Sequence, residues 1–309
     1  MQIKYDSVAH LVEAAKDAGQ PLSALVLEQQ AQQTERSAEE LYKEMERMYH
    51  VMQESATEGM KEGLRSASGL TGGSAWKMQQ AAEKGNVTLG LGKIFSEALA
   101  RALAVSEWNA AMGRIVASPT AGSCGILPAA LLTIQDARSI PEHDCVMALF
   151  TASAVGMVIA QNACIAGAQG GCQAECGSAS AMAAAALVEI CGGGPEKIGH
   201  AVAIALKNVL GLVCDPVAGL VEIPCIKRNA SGVVNAFVAA ELALAGIESA
   251  IPPDEVILAM KRVGDAMSPA LRETAEGGLA ATPTAQKLYQ QVFGSSDDAK
   301  GCNGCRACH

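Results

Sequence analysis

The stretch CVMALFTASAVGMVIA at residues 145–160 narrows the choice of fold more than any other. Nearly every position is apolar, most are small, and none is Asp, Glu, Lys or Arg. Such a run must be buried, in lipid or in a protein core. It is slightly short of the roughly 20 residues that span a bilayer, and Gln161 and Asn162 end it. The other apolar segments carry groups that lipid accepts only at a cost: Glu189 in 178–191, Lys207 and Asn208 in 197–210, and Glu241 in 233–246. The expectation is a buried helical core and no membrane span.

Aromatic residues make up only 3% of the chain. Its apolar half is mostly Ala, Gly, Val, Leu, Ile and Met, which favours close helix packing over a sheet of branched and aromatic side chains. No segment sustains the alternation of a half-buried strand. The fold class expected is all-α, with a single large helical domain over residues 1–293 and a flexible Cys-rich tail at 294–309. Helices are expected at 6–18, 22–65, 94–115, 127–137, 142–165, 178–191, 195–210, 232–247, 253–266 and 284–293. The second of these carries a stripe of Leu41, Met45, Met48 and Met52 at helical spacing, read as a packing seam. Ser37 and Glu40 within it match a capping box.

The loops between the helices share a character. They are SASGLTGGSA (66–75), SPTAGSCG (118–125), AGAQGGCQAECGS (166–178), CGGGP (191–195), LVCDPVAGLVEIPCIKRN (212–229) and EGGLAATPT (276–284). Glycine, small polar residues and cysteine recur in them. Rigid helices carrying such loops are one way to build a polar site inside an apolar protein.

A net charge of −9 argues against nucleic acid as a partner, because phosphate binding needs a basic face. The N-terminal MQIKYDSVAHLVEAAKDAG has no apolar leader core. Together with eleven cysteines this suggests a reducing, cytoplasmic setting, where cysteines are thiols, ligands or redox groups.

The cysteines fall into three groups. Cys145, Cys164 and Cys191 lie in apolar helical stretches and read as small buried hydrophobes. Cys302, Cys305 and Cys308 form the tail CNGCRACH, which contains the C-x-x-C-H string of haem c attachment. Haem attachment requires export, so zinc, a cluster, or a further ligand to an internal site are the alternatives there. Cys124, Cys172, Cys176, Cys214 and Cys225 lie in or beside the Gly-rich loops. The spacing of Cys214 and Cys225 matches no common local metal motif.

Three loop segments, GGCQAECGSASAMAAAA, LKNVLGLVCDPVAGLVEIPCIKRN and SPTAGSCGILPAALL, carry a resemblance. With ALRETAEGGLAATPT and SGLTGGSAWK, they resemble the alpha chain of the iron–sulfur-dependent L-serine dehydratases (L-serine ammonia-lyases) of the two-subunit type. The resemblance covers about residues 8–293. It implies a [4Fe–4S] cluster held by Cys172, Cys214 and Cys225, with Cys124 and Cys176 as neighbours. Three protein thiolates leave one iron open as a Lewis acid for the serine hydroxyl. Elimination then gives aminoacrylate, which becomes pyruvate and ammonia. Sensitivity to oxygen follows from an exposed iron.

Within that picture Thr120, Ser123 and the backbone N–H groups of SPTAGSCG are candidates to cradle the substrate carboxylate. Without the resemblance the same loop reads as an interhelix turn. Lys227, Arg228 and Asn229 are further substrate-binding candidates, with Asp215 an orienting group and Lys77 a weaker option. The base is missing from the loops: His10, His50, His143, His200 and His309 all lie elsewhere. The resemblance implies a histidine from a beta subunit, and hence an alpha chain that is incomplete alone. Two other readings stay open. One is the same scaffold removing sulfide from cysteine. The other is a non-enzymatic iron–sulfur redox or sensing protein.

Overall fold

Alanine sets the architecture. Ala179, Ala181, Ala183, Ala184, Ala185 and Ala186 have no solvent exposure at all. A helix buried all round needs neighbours close on every side, and alanine allows this without loss of side-chain entropy. The computed structural model describes residues 6–294 except 87, 88 and 90. Its α-helices are α1 (Val8–Ala18), α2 (Leu22–Thr34), α3 (Ala38–Glu58), α4 (Ser74–Glu83), α5 (Gly92–Ala110), α6 (Ile126–Arg138), α7 (Glu142–Asn162), α8 (Gly167–Gly170), α9 (Ser178–Ile190), α10 (Pro195–Lys207), α11 (Cys225–Leu244), α12 (Pro253–Ala266) and α13 (Pro283–Phe293). Among the described residues there is no strand, only one isolated parallel bridge between Cys214 and Arg272. The all-α expectation holds.

The alanine-rich α9 is the centre, packed by α6, α7, α10 and α11. Helix α5 lies on α11 and carries α4, while α2 covers α7 and α1 and α12 cover α10. The apolar run is α7. It is long and apolar enough to cross a bilayer, and 67% of its apolar window is buried inside the protein. It packs mainly on α9 and α2.

Several boundaries differ from the sequence reading. The run 22–65 breaks at Glu35, which adopts a left-handed conformation (φ 54°) at the end of α2. Helix α3 restarts at the Ser37–Glu40 capping box, which forms with both reciprocal hydrogen bonds. Helix α4 is not announced by the sequence, because no local side chain caps it. Its cap comes from elsewhere: the Glu107 carboxylate of α5 accepts from the backbone N–H of Ser74 (2.8 Å) and Ala75 (3.1 Å). Asp254 of α12 serves α1 in the same way, through Val8 N (2.7 Å) and Ala9 N (3.0 Å). Glu189 of α9 accepts from Ser23 N in the first turn of α2 (3.3 Å). Carboxylates at helix N-termini satisfy orphan donors and oppose the helix dipole.

Helix α11 begins at Cys225 rather than at 232. Gly232 lies inside α11, not at its start. In the fold a Cβ there would collide with the Ile126 side chain, so this glycine serves close packing inside a helix. The earlier start carries Cys225, Lys227, Arg228 and Asn229 on one rigid element.

Candidate metal centre

Four segments meet at one end of the central helix. They are the turn before α9, the 212–224 connection with the start of α11, the SPTAGSCG loop, and residues 271–279. Each is fixed by a few buried polar groups.

Cys172 precedes a π-helical turn, Gln173–Gly177. Such turns recur at functional sites. Gln173 is wholly buried and stitches the turn down. Its amide donates to the carbonyls of Gly170 (2.9 Å) and Met260 (3.0 Å) and accepts from Gly211 N (2.9 Å). Cys214 is held by its main chain. Its N–H donates to Leu271 O (2.9 Å) and its carbonyl accepts from Glu273 N (2.7 Å). Glu273 is left-handed at φ 60°. Cys225 is the first residue of α11 and is buried.

The three thiols face a common region and feel one another's charge. Burial pushes the Cys225 thiol up to about 12, and the neighbouring Cys172 and Glu175 push the same way. Cys214 rises further, again through burial first and then Cys172. Cys172 is the exception. The sulfur of Cys176 lies 3.4 Å away, and that contact lowers Cys172 below the ordinary thiol value. Burial opposes the lowering and the Arg228 guanidinium adds to it. Cys176 is shifted the other way, raised by the contact with Cys172 and by burial.

Arg228 is locked in place. It donates to Val213 O (2.8 Å) and to Asp215 Oδ1 (2.8 Å), and Asp215 Oδ2 accepts from Leu279 N (2.7 Å). The Arg228–Asp215 pair is largely buried. At Gly278 (φ 58°) a side chain would be strained and would strike the Asp215 carboxylate. Asn229 pins the SPTAGSCG loop to α11: it donates to Gly122 O (2.7 Å) and Cys225 O (2.9 Å) and accepts from Gly125 N (2.9 Å). Thr120 Oγ1 donates to Glu175 Oε1 (2.7 Å) and lies 3.1 Å from Ser123 Oγ. So Cys172, Cys214, Cys225, Thr120, Ser123, Arg228 and Asn229 belong to one neighbourhood. Lys227 and Lys77 are exposed instead.

Two residues escaped the sequence reading. Glu175 lies one turn along from Cys172. Its Oε2 is 3.8 Å from Cys214 Sγ, and burial raises its pKa, with the Thr120 hydroxyl working against that. Glu273 joins it: donor atoms of Glu175, Cys214 and Glu273 all lie within 4.8 Å of one another. The spacing C-x-x-E-C was the available signal, since residues three apart share a helix face. Glu273 gave none, because its place depends on the long-range bridge to Cys214.

The remaining cysteines and histidines lie elsewhere. Cys124 has no exposure, and burial raises it to about 12. Cys145 rises to about 11 through burial, beside Tyr49. Cys164 lies beyond the end of α7, its sulfur against Ala166 N (3.2 Å). His10 contacts Asp6, His50 contacts Glu142, His200 accepts from Ser249 N, and His143 stacks on Tyr42. None of these four is in the centre. Cys302, Cys305, Cys308 and His309 lie outside the described residues.

Known proteins share this arrangement of sequence over almost the whole chain. The family model "Serine dehydratase alpha chain" matches residues 17–280. "Probable L-serine dehydratase, alpha chain" of Bacillus subtilis is 48% identical over 292 residues, covering 94% of this chain and 96% of that protein. "L-serine dehydratase, alpha chain" of Peptoniphilus asaccharolyticus is 44% identical over 292 residues, covering 94% and 99%. "L-serine dehydratase 2" of Escherichia coli is 38% identical over 285 residues, and there the match spans 89% of this chain but 61% of that protein. With the family model matching most of its length, and near-full-length relatives on either side of 45% identity, the chain belongs to the serine dehydratase alpha chain family.

Proposed function

We propose that this chain is the alpha subunit of an L-serine ammonia-lyase, converting L-serine to pyruvate and ammonia through aminoacrylate. The observation that carries the reading is the convergence of Cys172, Cys214 and Cys225, from distant parts of a serine dehydratase family sequence, around Glu175, with Arg228 beside Cys172 and Cys225. The donor set suits a [4Fe–4S] cluster. A single tetrahedral zinc needs sulfurs about 3.8 Å apart, from its Zn–S length of about 2.3 Å. The group of three donors that closes within 4.8 Å among the described residues is Glu175, Cys214 and Glu273, not the three thiols. A cradle is also present: a Cβ on Gly167 would meet Glu175 Oε2 at 2.6 Å, Cys214 Sγ at 2.9 Å and Glu273 Oε2 at 3.0 Å. Bound by three thiolates, the cluster supplies a Lewis-acidic iron for the substrate hydroxyl.

The chain's own residues do the rest of the positioning. Arg228, fixed by Asp215 and Val213 O, offsets the negative charge that three thiolates concentrate in a buried place. Thr120 and Ser123 form a hydroxyl wall beside the thiols, and Asn229 fixes its distance from Cys225. Both Asn229 donors are committed to backbone carbonyls, so its part is to hold the loop. Lys227, exposed at the start of α11, is available to a second polypeptide. The general base belongs to that polypeptide, a beta subunit, since the four described histidines are engaged away from the centre. The alpha-chain names of the relatives support a second subunit.

The test is purification without oxygen, a count of iron and sulfide, and pyruvate formation from L-serine before and after adding the beta chain. Four irons and four sulfides per chain, with turnover only in the mixture, are expected. A metal-free preparation, or full turnover by the alpha chain alone, would count against the reading. Comparing kcat/KM for L-serine and L-cysteine separates loss of water from loss of sulfide. A change in the cluster's electron paramagnetic resonance on adding L-serine separates an enzyme from a redox or sensing protein.

A further inference from the structure

A cavity of about 360 Å³ lies beside the metal centre without belonging to it. It is walled by the residues just after α7, by α8, by the π-helical turn, by α12 and by Arg272. None of Cys172, Glu175, Cys214, Cys225 and Arg228 lines it, and the proposed reaction leaves it unused. Its lining has a definite chemistry. Two cations, Lys261 and Arg272, face one acid, Asp265. In a chain of net charge −9 that is a local excess of positive charge. Arg272 is fixed, since its Nε donates to Met267 O (2.8 Å) and its Nη2 to Asp265 O (2.8 Å). Its Nη1 has no partner among the described residues. A guanidinium held in place with donors to spare is pre-organised for an oxyanion. Lys261 Nζ lies 2.9 Å from Asp265 Oδ2, in an exposed pair that a ligand can share at little cost. Gln173 adds nothing, because its amide N–H groups are spent on Gly170 O and Met260 O. The other walls, Ala163, Ala168, Ala174 and Met260, are apolar.

We infer that this cavity binds a small carboxylate, with its oxygens on Arg272 and Lys261 and its short apolar part against Ala163, Ala168 and Met260. A phosphate would turn oxygens toward the apolar wall, where they find no donor. The volume lies near the lower end of the range of about 300–1,000 Å³ for ligand pockets, which suits an acid of a few carbons. Within the serine lyase reading, on which this choice of ligand rests, the acid supplied is the product, pyruvate. The place of the cavity gives its occupant a hold on the centre. Gln173 directly follows Cys172 in the chain, and the main chain of Arg272 is bridged to Cys214. A bound product therefore bears on the segments that carry two of the three thiols.

The experiment uses the assembled alpha–beta enzyme, purified without oxygen, and the variants Lys261→Gln and Ala168→Phe. Binding is measured by calorimetry for pyruvate, for the neutral pyruvamide and for inorganic phosphate. The Cys164 thiol lines the cavity, so its alkylation by iodoacetamide, followed by peptide mass, reports where pyruvate binds. Pyruvate is expected to bind at roughly millimolar concentration, and pyruvamide and phosphate at least about tenfold more weakly. Pyruvate, and not pyruvamide, is expected to slow the alkylation of Cys164. Lys261→Gln, an exposed change that leaves the fold in place, is expected to weaken pyruvate about three- to tenfold. Ala168→Phe, which fills the space, is expected to weaken it by at least roughly thirtyfold. Pyruvate binding unchanged in both variants, phosphate or pyruvamide bound as tightly as pyruvate, or alkylation of Cys164 indifferent to pyruvate overturns the inference. An enzyme that makes no pyruvate from L-serine overturns the serine lyase reading instead, a failure that the binding measurements do not share.

Discussion

Glu175 lies in the π-helical turn before α9 and Glu189 near the far end of α9, and burial raises the pKa of both. Glu189 is satisfied: it accepts from Ser23 N at 3.3 Å and Thr151 Oγ1 at 2.7 Å, and so caps α2. Glu175 accepts well only from Thr120, stands 3.8 Å from a thiol, and faces a second acid. Burial and a shifted pKa are therefore common to a structural acid and a site acid. Unused acceptor capacity distinguishes them.

The largest effect that separates the two regions concerns sulfur. Cys225→Ser is expected to bring bound iron and serine turnover to background. Cys124→Ser, in the core, is expected to keep both and to lose about 1–3 kcal/mol of stability from burying a hydroxyl. An iron count and a denaturant titration on each variant check this. Iron retained in Cys225→Ser would remove that residue from the ligand set.

Next is Gly167→Ala. Its Cβ would lie 2.6–3.0 Å from Glu175, Cys214 and Glu273, and it has no need of a left-handed backbone. A loss of roughly a hundredfold in kcat/KM is expected, from displacement of groups that must be placed within about an ångström. The melting temperature is expected to change little, since the displaced groups lie at the edge of the core.

Glu189→Ala reverses the pattern. It strands the Ser23 N–H and the Thr151 hydroxyl, for a loss of about 1–3 kcal/mol, while turnover per folded molecule stays as in the wild type. A matching fall in kcat would show that α9 transmits strain to the centre.

The smallest effect is in pH. Burial raises Glu189 above its ordinary value, with Ser23 and Thr151 opposing. The native state thus binds a proton more readily than the unfolded chain. That contribution is fully present below the unfolded carboxylate pKa and is lost as pH rises through the folded one. Relative to Glu189→Gln, wild-type stability is expected to fall across that window. Parallel stability curves for the two would mean that the carboxylate is not desolvated.

The family motifs singled out residues that the fold does bring together, but not what each one does. Asn229 was legible as a polar residue near Cys225, and only the fold shows its amide spent on Gly122, Gly125 and Cys225. Lys227 and Arg228 are neighbours in sequence, yet one is exposed and the other locked to Asp215. A helical residue's direction depends on register, and the loop-like CIKRNASG concealed where α11 begins. Helix α4 was missed because its cap, Glu107, comes from another helix.

The sequence by itself determined the helical class and the alanine-rich core, because small apolar residues without strand alternation leave close helix packing as the way to bury them. It also determined the α3 start at Ser37, a signal contained within four residues. Only the tertiary structure decided that Glu175 meets Cys214 and Thr120, that Glu273 joins Glu175 beside Cys214, and that Glu189, Glu107 and Asp254 end up at the starts of other helices. Those contacts join residues far apart in the chain. Local periodicity carries no information about them, and they form only when burial of the core brings the loops to one end of α9.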